Sequence, residues 1–185
     1  NEKFSQALQL QTDGGILGIV IPLPKEIKAD NITIENRYIE NMIVISIDGN
    51  HGDFYRQNIL HTGSDAVVSE GYLAEEKEIT DLMLVMTGIY EHQYVFENNN
   101  LYLSFMKPND LYEKIVVLDA AHGGTDTGYV GNGIVEKDIL LGITESVREK
   151  TKDSDIRVYC TRTDDTLVSE EEKAEAERLV NEWIK

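Results

Sequence analysis

Two side chains carry the chemistry that this sequence could support: a histidine among glycines and a glutamate fourteen residues on (136 − 122). They lie in "LDAAHGGTDTGYVGNGIVEKDIL", Leu118 to Leu140, as His122 and Glu136. Catalytic zinc takes three protein ligands, often a His/Glu mixture, and keeps a fourth position for water. A loop of this length can fold back and bring both donors to one ion. Other readings compete. The glycine-flanked histidine could belong to an α/β-hydrolase oxyanion loop, but no G-x-S-x-G elbow occurs in the chain. The glycines could cradle a phosphate, yet "HGGTDTGYVGNG" fits neither the P-loop nor the dinucleotide fingerprint. The bland alternatives stay open: an exposed turn histidine, and an acid placed at Glu136 to favour a helix macrodipole.

The elements around the pair set where the two could meet. "KIVVLD" (Lys114–Asp119) is a continuous apolar run, the pattern of a strand buried on both faces of a parallel sheet. After the Gly-rich loop, "EKDILLGITESVREK" repeats Ile139, Ile143 and Val147 as an expected apolar helix face. "DIRVYC" (Asp155–Cys160) reads as a second buried strand. Ser169 and Glu172 have capping-box spacing at a second helix, whose stripe is Ala176, Leu179, Val180 and Trp183. Donors at the carboxyl end of a strand and the start of the next helix face the crevice where α/β sites form.

Residues before about Asp110 follow a different pattern. "NITIEN", "NMIVISIDG", "DLMLVM", "HQYVFE" and "LYLSF" are short β-branched or aromatic runs broken by Asn, Asp and Gly. "YVFENNNLYLSF" predicts a hairpin turning at Asn98–Asn100, and "EGYLAEEKEITD" is the best helical candidate of this half. "KPND" (Lys107–Asp110) marks a linker. The expected fold is therefore an N-terminal all-β, sandwich-like domain over 1–110. An incomplete three-layer α/β domain, β-α-β-α, follows over 111–185. Two parallel strands do not make a stable sheet. The expectation is a truncated domain whose unfinished edge invites pairing with another chain.

With 41% hydrophobic residues, the chain can build a core, while its net charge of −17 disfavours nucleic acid and anionic membrane surfaces. No apolar run approaches the roughly 18–20 residues of a membrane span. Residues 1–113 hold −11 of the charge (7 Lys+Arg minus 18 Asp+Glu), which disfavours simple electrostatic attraction to an anionic polymer there. The nine tyrosines could offer aromatic faces instead. Cys160 reads as a buried free thiol, and His51 in "DGNHGD" as part of a polar turn.

From about residue 114 onward the sequence resembles the zinc-dependent N-acetylmuramoyl-L-alanine amidases of the Amidase_3 type. "IVVLDAAHGGTDTGYVGNGIVEKDILL" carries the likeness, with "VYCTRTDDTLVSEEEKAEAERLVNEW" downstream. The resemblance implies that His122 and Glu136 are zinc ligands. Asp119 then opens the family's D-P-G-H-G-G-like motif, and Thr161, Arg162 and Asp165 match its T-R-x-x-D. It also implies a third histidine ligand and a glutamate general base further on, both expected beyond Lys185, so that the zinc site here is incomplete. Where the family has a glycine before the histidine stands Ala121, which would be strained if that position needs positive φ. Arg162 is expected to bond carboxylates at the sheet end. More faintly, the first half resembles the AMIN-like β modules that precede such amidases. The implied function is hydrolysis of the amide between N-acetylmuramic acid and L-alanine of peptidoglycan, in the bacterial cell envelope or outside the cell. The alternative is a non-catalytic wall-binding or localisation protein carrying an amidase remnant.

Overall fold

The computed structural model describes residues 2–4, 8–11, 17–58, 67–169, 174 and 178, and divides into two compact units, 1–107 and 108–185. In the first unit the strands are β1 (Glu2–Phe4), β2 (Leu8–Gln11), β3 (Leu17–Pro22), β4 (Ile32–Arg37) and β5 (Met42–Asp48). Helix α1 (Gly52–Asn58) precedes β6 (Val68–Glu75), β7 (Ile79–Met86), β8 (Glu91–Glu97) and β9 (Asn100–Met106). They form two antiparallel sheets, in the orders β1-β6-β7-β5-β4 and β2-β3-β9-β8. Period-two alternation turns Ile43, Ile45 and Ile47 of β5 inward, with Leu82 and Leu84 of β7. Ile19 and Ile21 of β3 and Leu101, Leu103 and Phe105 of β9 join them in one cluster.

Two local expectations are corrected here. "EGYLAEEKEITD" is no helix: Glu70–Glu75 lie in β6 and Ile79–Asp81 in β7, joined by a turn in which Glu76 N donates to Ile79 O at 2.9 Å. Pairing both runs with the core outweighs the helical preference of four glutamates and a lysine. The β8–β9 hairpin turns on Asn98 and Asn99, at φ +50° and +59°, while Asn100 already pairs with Glu97. Two left-handed asparagines in a two-residue turn match the strand twist.

The second unit opens with a single helical turn, α2 (Pro108–Leu111), and β10 (Lys114–Leu118). A loop follows that contains the small hairpin of β11 (Val130–Gly131) and β12 (Ile134–Val135); then come α3 (Glu136–Thr151) and β13 (Ile156–Cys160). β10 and β13 run parallel, Lys114 opposite Ile156 and Leu118 opposite Cys160. β10 is not buried on both faces, since Val116 is 37% exposed. Its hydrogen-bonded neighbour is β13, the strand that α3 packs against. The helix phase also differs: Lys137, Leu140, Leu141, Thr144 and Val147 turn inward, whereas Ile139 and Ile143 are exposed. A buried Arg162 bonded to Lys137 O fixes this rotation, which periodicity could not register. Residues 170–173, 175–177 and 179–185 of the expected second helix fall outside the described residues; Ala174 and Arg178 are helical. Among the described residues no helix is long and apolar enough to cross a membrane.

Candidate metal centre

β10 delivers the chain to a loop whose backbone needs positive φ repeatedly. His122 stands at φ +65°, followed by Gly123 at +142° and Gly124 at +52°. The left-handed residue is His122 itself; Ala121 is not among the positive-φ positions. A bulky residue held there stores strain that its surroundings must offset, a feature that clusters at working sites. Gly123 cannot be replaced, because a Cβ would lie 1.9 Å from Thr166 O. Gly123 and Asp126 also exchange main-chain hydrogen bonds of 2.8 and 3.0 Å, closing a tight turn.

That turn brings Asp126 behind the histidine. His122 Nδ1 donates to Asp126 Oδ2 at 2.8 Å, leaving the Nε2 lone pair directed forward. Glu136 Oε2 lies 3.5 Å from that nitrogen. Two acceptors facing each other need a positive centre between them, either a proton or a cation. A carboxylate behind a histidine is the arrangement that orients metal-ligating imidazoles. Two ligands of one tetrahedral zinc, each about 2.0–2.1 Å from it, sit roughly 3.3–3.4 Å apart. The pair fits such an ion. Gly128, at φ +60°, keeps the space open: a Cβ there would lie 2.6 Å from His122 Cδ2 and 2.7 Å from Glu136 Oε2.

Glu136 is held from the hairpin side. Tyr129 N donates to Glu136 Oε2 at 2.8 Å, and Glu136 N donates to Tyr129 O at 2.9 Å. The other motif residues grip the loop rather than face the pair. Arg162, 4% exposed, donates to the carbonyls of Ala120 (2.8 Å), Asp164 (2.8 Å), Lys137 (2.8 Å) and Ala121 (3.3 Å). It bonds carbonyls where carboxylates were expected, because the main-chain oxygens of Ala120, Ala121, Lys137 and Asp164 converge on its guanidinium, which can only donate. Thr161 Oγ1 donates to Asp119 Oδ1 at 2.7 Å and accepts from Ala120 N, tying the two strand ends together. Asp165 accepts from Gly124 N at 2.9 Å and from Lys137 Nζ at 2.6 Å. The Lys137 ammonium and then the Gly124 amide hold its carboxyl below the usual range.

The structure thus brings His122 and Glu136 together and places Asp119, Arg162 and Asp165 around them as supports. Sequence reasoning missed Asp126, Gly128 and Lys137. An acid four residues after the histidine in "HGGTD" was the available signal for the first. His51 belongs to the other unit, where its Nε2 lies 2.9 Å from Asp48 O in a turn beside β5. Cys160 is a free, half-buried thiol whose pKa burial raises, which makes it a poor nucleophile. Among the described residues no group of three or more His, Cys, Asp or Glu is arranged to hold a metal.

Residues 116–182 match the N-acetylmuramoyl-L-alanine amidase family. The germination-specific N-acetylmuramoyl-L-alanine amidase of Bacillus subtilis is 35% identical over 83 residues, 45% of this chain and 34% of that protein. The amidase AmiA of Escherichia coli is 42% identical over 57 residues, 30% of this chain and 20% of its own length. The uncharacterized protein YqiI of Bacillus subtilis is 45% identical over 60 residues, 32% of this chain and 29% of that protein. The chain therefore spans about a third or less of these curated relatives.

Proposed function

We propose that residues 114–185 form part of a peptidoglycan amidase centre acting in the bacterial envelope or outside the cell. The reaction would hydrolyse the bond between the lactyl group of N-acetylmuramic acid and the L-alanine nitrogen of the stem peptide. What supports this reading is the His122–Glu136 pair, 3.5 Å apart and backed by Asp126, within the amidase-matching segment. Zinc, when bound there, supplies Lewis acidity towards the amide carbonyl and towards water.

The chain's own residues prepare that place. Asp126 keeps the proton on His122 Nδ1, so that Nε2 offers a lone pair. Tyr129 N and the start of α3 orient the Glu136 carboxylate, and Gly128 keeps the approach clear. Arg162 and Asp165 fix the loop, so both donors are positioned before any ligand arrives. Two protein donors make a weak zinc site, and no general base stands among them. The 185-residue chain alone is accordingly proposed to bind zinc weakly and to leave peptidoglycan intact. The β-rich first unit would act as a wall-localising module of the AMIN kind.

Fusing the chain to the remaining portion of a matched amidase domain tests this. The fusion should gain one zinc per chain and release stem peptides with a free L-alanine amino terminus, read by mass spectrometry of muropeptides. His122→Ala and Glu136→Ala should each abolish that release. A fusion that binds zinc and peptidoglycan but releases no such peptide would favour a non-catalytic wall-binding protein instead.

A further inference from the structure

The β11–β12 hairpin carries a set of exposed apolar side chains that neither the metal pair nor the core uses. Tyr129 is 64% exposed, Val130 61% and Ile134 49%. The register sets Val130 opposite Val135 and Gly131 opposite Ile134. By alternation Tyr129, Gly131 and Ile134 share one face, and Val130 lies on the other. The turn between the strands, Asn132 and Gly133 at φ +53° and +76°, is the tight type that holds such a face rigid.

The tyrosine is seated rather than loose. A Cβ at Gly131 would lie 2.2 Å from Tyr129 Oη and 2.6 Å from Cζ, so the ring rests on bare backbone. Gly131 has no positive φ, so its lack of a side chain serves the ring and not the turn. The main chain of Tyr129 is bonded twice to Glu136, which fixes the ring's root to one donor of the metal pair. The phenol tip of the ring lies against Gly131, and the residue stays largely open to solvent.

We propose that Tyr129, seated on Gly131 with Ile134 beside it, is a stacking platform for the sugar ring of the substrate. This rests on the amidase reading, in which the scissile amide joins a sugar-borne lactyl group to a peptide. A flat aromatic face with a polar tip suits the C–H face of a pyranose, whose hydroxyls stay at the rim. An extended peptide would instead need a strand edge several residues long, and the two-residue strands here offer none. The ring would then select substrates by their glycan side and leave zinc binding untouched.

The test uses the chain loaded with zinc and two probes: a disaccharide-peptide fragment of peptidoglycan, and the same peptide capped with lactate alone. Saturation-transfer NMR and titration read the binding of each. Tyr129→Ala should weaken the disaccharide-peptide by about tenfold and leave the lactyl-peptide unchanged. Gly131→Ala, which displaces the ring, should weaken the same probe. Tyr129→Trp and Val130→Ser should keep its binding, and zinc content should be unchanged in all four. Equal weakening of both probes, no change in either, or loss of zinc from Tyr129→Ala overturns the sugar platform while the amidase reading stands. If the unsubstituted chain takes up zinc but binds neither probe, the sugar platform is overturned, and the amidase reading is judged by muropeptide release from the fusion alone.

Discussion

The two units of this protein are held by different forces. In the first, Ile43, Ile45, Ile47, Leu82 and Leu101 are completely buried, and side chains from both sheets merge into one apolar cluster. In the second, Val158 and Tyr159 are buried, but Val116, Ile134, Ile139 and Ile143 stand exposed, and the loop is tied by hydrogen bonds that Arg162 donates and Asp165 accepts. Apolar burial tolerates small shifts of any one contact. Directed bonds to carbonyls do not, but they fix positions closely. The unit that holds His122 3.5 Å from Glu136 uses the second device.

Single substitutions should therefore break the two units in different ways. Arg162→Ala leaves the carbonyls of Ala120, Ala121 and Lys137 without their buried donor and should cost about 3 kcal/mol or more. Leu82→Ala should cost about 2–5 kcal/mol by leaving a cavity. Amide hydrogen exchange separates them: the first should lose protection around 118–137 and spare β5 and β7, the second the reverse. Protection lost in both units by either change would mean that they unfold together.

Zinc binding sharpens the contrast, because only the second unit should register it. Asp126→Asn and Gly128→Ala should each lower zinc affinity by roughly 10–100-fold. The first loosens the histidine, and the second puts a methyl against both donors. Titration with a competing chelator checks this; unchanged affinity in both would remove the pair from the site.

The pH responses should run in opposite directions. Burial raises the Tyr55 phenol in the first unit, so its stabilising effect is complete below the unfolded value near 10 and is lost as pH rises beyond it. The Asp165 carboxyl is lowered, so its effect is complete above the unfolded value near 3.9 and is lost as pH falls through the lower folded value. Alkali should weaken the first unit, and acid below about pH 4 the loop of the second. Tyr55→Phe should remove the alkaline slope, and Asp165→Asn the acid one. Because Tyr55 Oη is buried without a hydrogen-bond partner among the described residues, Tyr55→Phe should also stabilise by about 1 kcal/mol at neutral pH. The smallest effect concerns association. The exposed apolar edge around Val116 should make the chain self-associate weakly with concentration, and Val116→Glu should shift sedimentation towards monomer.

Much of this was written in local sequence. Alternation in "NMIVISIDG" and "LYLSF" is enough for inward-facing strands, since period two needs no knowledge of the partner. "HGGTDTGYVGNG" advertises a loop, because glycines and asparagines at positive φ are a local matter. His122 and Glu136 stand out as candidate donors by type and spacing, and only the family resemblance prefers that reading over a turn histidine and a helix-start acid. What sequence could not show is direction. The rotation of α3 depends on where Arg162, twenty-five residues from Lys137, places its guanidinium, so Ile139 and Ile143 face outward against their periodicity. Asp126 becomes the partner of His122 only because Gly123 folds the chain back on itself. Gly128 matters for the carbon it lacks, a property visible only once the two donors are on either side of it. Residue types and period are properties of the chain, whereas facing and distance arise from contacts between segments far apart along it, and those the tertiary structure alone decides.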